Sequence, residues 1–135
     1  MGNPFVKILT EYFSVKNDII LAILYGSYAK GNYSDKSDID IAVAKNKVLT
    51  LDERLDLQFE LSRLTQKEID LVDIRIVKGP FHYKIFTEGK CIKIAENKGV
   101  KLLHKNNIKA LYWYEDYYPI YSREQDRILK YVFCK

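Results

Sequence analysis

At 135 residues, 47% apolar and 30% charged, with three prolines and six glycines, the chain has the composition of one folded domain. That excludes a disordered or fibrous protein and a pair of independent domains. Lys and Arg number 22 against 18 Asp and Glu, a balance compatible with a small anionic partner and far from the dense basic face of a dedicated nucleic-acid binder.

The elements follow in chain order. Phe5, Ile8, Leu9, Tyr12 and Phe13 recur at helical spacing behind Asn3-Pro4, where Asn can cap and Pro suits a first turn, so the chain opens with an amphipathic helix. Ile19 to Tyr25 is a continuous apolar run that stops at Gly26-Ser27, the pattern of a buried strand ending sharply. Residues 38–43 read Asp-Ile-Asp-Ile-Ala-Val; at period two this is a strand with Asp38 and Asp40 on one face and Ile39 and Ile41 on the other. Thr50-Leu-Asp-Glu53 matches a capping box, and Leu57, Leu61 and Leu64 follow on one stripe, predicting a helix over about 51–66. Ile69 to Val77 reads as a third strand carrying Asp70 and Asp73 on opposite faces, closed by turn chemistry at Gly79-Pro80. A short helix over about 81–88 ends at Gly89, a strand follows from Cys91 to Ala95, and Val100 to Tyr118 is helical before Pro119. Two cysteines, Cys91 and Cys134, set no disulfide framework or metal cluster. No stretch approaches the roughly 18 apolar residues that cross a bilayer. With no internal repeat and no Gly/Ser linker, a single domain over 1–135 in a reducing, cytoplasmic setting is the expectation.

The chemistry concentrates between Gly26 and Asp40. Glycine lets the backbone approach phosphate oxygens, and the Ser27 hydroxyl and the amides that open the next helix can donate to them. Two carboxylates at i and i+2 on a strand converge on one point, and hard oxygen ligands of that kind suit magnesium shared with substrate phosphates. Bare, they would repel each other, so a divalent ion or a proton is the natural reason to keep them together. A two-metal site would acidify an attacking hydroxyl and stabilise departing pyrophosphate, and it wants a third carboxylate. Asp70 is preferred for that place and Asp73 remains the alternative.

Three segments together, Leu24-Tyr-Gly-Ser-Tyr-Ala-Lys-Gly31, Ser37-Asp-Ile-Asp-Ile-Ala-Val43 and Glu68-Ile-Asp-Leu-Val-Asp73, resemble the minimal nucleotidyltransferases of the polymerase-beta-like superfamily. The resemblance implies an α+β fold, a mixed β-sheet flanked by helices. Within the superfamily, the small size and the Tyr-rich end around Tyr112 to Tyr121 most resemble the minimal nucleotidyltransferase antitoxins paired with HEPN ribonuclease toxins. By that resemblance the protein would use two Mg2+ ions to transfer AMP from ATP to a tyrosine of a HEPN-family toxin held in a heteromeric complex. Gly26, Ser27, Lys30 and Ser37 would then bind the nucleotide, and Asp38, Asp40 and Asp70 would hold metal and carry catalysis.

Two other functions stand beside this one: nucleotide transfer to a small molecule, and a binding-only antitoxin that occludes its partner. Direct nucleic-acid binding is the weakest option, given the modest net charge. Tyr112, Trp113, Tyr114, Tyr117, Tyr118 and Tyr121 are either a partner-binding face or a packed terminal helix. His82 and His104 read as surface or capping residues, and the lysines from Lys98 to Lys109 as a solvated face.

Overall fold

The structure, a computed structural model, describes residues 3–116. Helices and strands follow in the order α1 (Val6–Ser14), β1 (Leu21–Tyr25), α2 (Ser27–Lys30), β2 (Ile39–Ala44), α3 (Leu51–Thr65), β3 (Ile69–Asp73), α4 (Gly79–Glu88), β4 (Lys90–Ile94) and α5 (Lys98–Asp116). The four strands form one sheet in the order β3-β2-β1-β4. β1 is antiparallel to both β2 and β4, while β2 and β3 run parallel, so the fold is α+β with a mixed sheet.

Strand parity divides the core in two. Ile39, Ile41, Val43, Ile69 and Leu71 point to one face, where they pack with Leu9 and Phe13 of α1 and Leu57 and Leu61 of α3. Ala42, Ala44 and Val72 point to the other, against Ile85 and Phe86 of α4 and Leu102 and Leu103 of α5. All five residues of β1 are buried, as a strand covered on both faces requires. Asp40 and Asp70 share the parity of Ala42 and Val72, so both side chains belong to the face that carries α4 and α5.

The predicted capping box is present: Thr50 accepts from the Glu53 amide at 3.1 Å, and the Glu53 carboxylate accepts from the Thr50 amide at 2.9 Å. On α3 the buried stripe is Leu57, Leu61 and Thr65, and the expected Leu64 lies 47% exposed, one step round the helix. The third strand is shorter than the expected 69–77. Asp73 stops it by accepting from the Arg75 amide at 2.8 Å, which turns the chain out of the sheet. Gly79-Pro80 therefore opens α4 instead of closing a strand, with Pro in the first turn, where it loses no helical hydrogen bond.

His82 is a further correction. It is not a surface residue but 4% exposed, with its Nε2 2.8 Å from Asn106 Oδ1 between α4 and α5. Burial lowers its pKa, so the ring sits there neutral. His104 is exposed, as are Lys98, Lys101, Lys105 and Lys109. Tyr112 and Tyr114 are exposed while Trp113 is half-buried. Tyr117, Tyr118, Pro119, Tyr121 and Cys134 lie outside the described residues.

Candidate active site

The site is built where β1 ends. The buried strand delivers Tyr25 directly opposite Asp40 on β2, and Asp40 lies in parallel register beside Asp70 on β3. The chain then turns at Gly26, whose φ of 75° and ψ of −154° fall where only glycine sits without strain. A side chain there would also run into the Asp40 carboxylate, since the position of an added Cβ overlaps its Oδ2. Gly26 is thus fixed twice, by its backbone and by the acid it covers. Ser27 starts the single turn of α2, which closes with Ala29 and Lys30 amides on the Gly26 carbonyl at 3.1 Å.

Electrostatics mark Asp40 as the strained member of the cluster. Burial first, then the charges of Asp70 and Asp38 and a hydrogen bond shared with Asp70, push its carboxyl up from the usual 3.8 to about 6. Burial, then the charges of Asp70 and Asp40, hold the Tyr25 phenol protonated, its pKa raised well above the ordinary range. A proton on Asp40 relieves this repulsion, and a bound cation would relieve it as well. Asp38 stands exposed one residue before β2 begins, and Asp70 is exposed on the edge strand.

Among the described residues, no three acidic, His or Cys side chains close round a point as a finished cage. Magnesium does not require one, because it keeps waters and shares phosphate oxygens with its substrate. The donor set, carboxylates paired at the floor of an open cleft, fits such an ion.

Asp73 faces the other way. Only 2% exposed, its carboxylate accepts the Leu49 amide through Oδ2 and the Arg75 amide through Oδ1, both at 2.8 Å. It ties the approach to α3 to the end of β3, a structural task. A carboxylate ligand beside Asp40 must come from the other parity, where Asp70 stands.

A cleft of about 540 Å³ joins these groups, lined by Tyr25, Gly26, Ser27, Lys30, Asn32, Asp40, Asp70, Val72, Val77 and, from α4, Phe81, Lys84 and Glu88. Of the sequence-predicted residues, Gly26, Ser27, Lys30, Asp40 and Asp70 meet in it. Lys30 forms an ion pair with Glu88 at 3.1 Å, linking α2 to α4. Ser37 does not line the cleft; its Oγ accepts the Ser34 amide at 2.9 Å and shapes the turn that leads into Asp38. Sequence reasoning missed the α4 wall. The available signal was the i, i+3, i+7 spacing of Phe81, Lys84 and Glu88, one face of a helix.

The four-stranded sheet, the glycine turn and the acidic pair define a minimal nucleotidyltransferase domain. The chain belongs to the polymerase beta nucleotidyltransferase family, whose model matches residues 7–98. It is 32% identical over 88 residues to the protein adenylyltransferase MntA of Shewanella oneidensis, a match covering 65% of this chain and 61% of that protein. A candidate protein adenylyltransferase of Methanocaldococcus jannaschii is 33% identical over 88 residues, 65% of this chain and 83% of its own. In fold the chain is similar to a toxin-antitoxin crystal structure with AMP-PNP, at a TM-score of 0.68 and 23% identity over 86% of this chain and 96% of that one. It is also similar to a chain in the complex of a tri-AMPylated Shewanella oneidensis HEPN toxin with its minimal nucleotidyltransferase antitoxin. There the TM-score is 0.65 at 20% identity, over 89% of this chain and 98% of that one. No helix among the described residues is long and apolar enough to cross a membrane.

Proposed function

We propose that this protein is an antitoxin that transfers AMP from ATP to a tyrosine of a cognate HEPN ribonuclease toxin and so silences it. The observation that carries the reading is Asp40 and Asp70 side by side in register under the Gly26 turn, in a cleft that also holds Ser27 and Lys30. Similarity to a protein adenylyltransferase, and in fold to a chain from a complex containing an AMPylated HEPN toxin, supports the choice of acceptor.

In this mechanism the Ser27 hydroxyl and the Lys30 ammonium take the β and γ phosphates, Lys30 exchanging its Glu88 partner for the substrate. The acceptor tyrosine oxygen forms a bond to the α-phosphorus while the bond from that phosphorus to the α,β-bridging oxygen breaks, and pyrophosphate leaves with the electron pair. Asp70, exposed at the sheet edge, receives the phenolic proton. Asp38, Asp40 and Asp70 would hold two Mg2+ ions, which when bound neutralise the triphosphate and acidify the attacking hydroxyl.

The test is incubation of the purified protein with labelled ATP, magnesium and a candidate cognate HEPN protein. Label is expected on the HEPN protein, and loss of about 10² or more in rate for Asp70→Asn. No transfer by the wild-type chain overturns the proposal. An Asp38→Ala, Asp40→Ala double variant that protects cells as well as wild type does would favour occlusion over catalysis.

A further inference from the structure

The cleft is chemically divided along its length. Lys30 meets Glu88 near Ser27; two turns away on α4 stands Phe81, which joins Val72 and Val77 in lining the cleft, with Lys84 between; Asp40 and Asp70 sit side by side on β2 and β3. Phe81 and Glu88 are seven residues apart on α4, so the two ends are separated by about 10 Å along the helix axis. Phe81 lines this open cleft and is 66% exposed.

Phosphoryl transfer has a required geometry. Attacking and leaving oxygens stand roughly in line on opposite sides of the phosphorus. With the departing pyrophosphate at the Ser27–Lys30 end and the α-phosphorus over the aspartates, the nucleophile arrives from the opposite end. The nucleoside hangs from an equatorial oxygen and lies off this axis. We infer that Val72, Val77 and Phe81 form the acceptor subsite, in which the ring of the tyrosine to be modified packs against Phe81 with its hydroxyl directed at Asp70. The inference rests on the transferase reading above and adds to it the place where the acceptor ring packs. An aromatic ring gains from this wall through apolar area and through ring-on-ring packing, whereas a polar acceptor such as a sugar gains little. Val72 follows Asp70 by two residues on the same face of β3, so wall and base are held in fixed relation by one strand.

The experiment compares wild type with Phe81→Ala and Phe81→Leu in two measurements. One is binding of a non-hydrolysable ATP analogue with magnesium; the other is the dependence of AMP transfer on HEPN protein concentration. Phe81 is a surface residue, so both variants should fold, which their thermal transitions will report. The expected result is unchanged analogue affinity, with kcat/KM for the HEPN acceptor down roughly tenfold in Phe81→Ala and partly restored in Phe81→Leu. Weaker analogue binding with an unchanged acceptor KM would assign the wall to the nucleobase and overturn the subsite. So would transfer unaffected by either change. Absence of transfer in the wild type overturns the proposed function and the subsite together.

Discussion

Gly26 and Asp40 form a unit: the turn can pass over the carboxylate only because the residue above it has no side chain. Gly26→Ala must adopt a positive φ and push Asp40 aside. It should lose about 1–3 kcal/mol of stability, read by denaturant unfolding, together with nucleotide binding. Asp70 and Asp73 differ in the opposite sense. Asp73→Ala strips two backbone amides of a buried acceptor and should cost about 3 kcal/mol. Asp70→Ala, exposed and beside another acid, should leave stability within about 0.5 kcal/mol of wild type or raise it, while transfer fails. Parallel unfolding and activity measurements on the two variants separate a structural acid from a functional one.

At the scale of elements, α3 and α4 show two kinds of legibility. The start of α3 is written locally, in Thr50 and Glu53, and Thr50→Ala should lower stability by about 1 kcal/mol in chemical denaturation without altering nucleotide binding. That helix packs on the sheet face away from Asp40 and Asp70. The role of α4 is not local. Its Ile85 and Phe86 join the core cluster of β1 while Phe81, Lys84 and Glu88 line the cleft, and only its docking over β1 says which of its faces meets the substrate. His82 belongs to the same lesson, since its partner Asn106 comes from a helix 24 residues later.

For the whole molecule, the acidic cluster sets how stability responds to pH and to cations. Folding raises the Asp40 pKa from 3.8 to about 6, so the folded state favours the protonated carboxyl. The stability this contributes is complete below about pH 4 and is lost as pH rises through 6. Metal-free wild type should therefore lose thermal stability across that window relative to Asp40→Asn. Asp40→Asn should melt higher than wild type at pH 7.5 and show no such gain at pH 4. Magnesium bound only by the folded state should raise the wild-type Tm more at pH 7.5 than at pH 5, because the ion competes with the proton, and should do little for Asp40→Asn.

Sequence alone determined what depends on near neighbours. Period-two patterning placed Ile39 and Ile41 opposite Asp40, the Gly26-Ser27 break ended a buried strand, and a capping box started α3. Residues 24–31, 37–43 and 68–73 carried the family resemblance, because phosphate turns and paired carboxylates need fixed short spacings. What the tertiary structure decided depends on which elements pack together: the parallel register that sets Asp70 beside Asp40, the burial of Asp73 against the Leu49 and Arg75 amides, the withdrawal of Ser37 into its own turn, and the wall that α4 adds to the cleft. A strand's faces can be read from its own residues, but which neighbour lies against each face is settled by burial of the whole core.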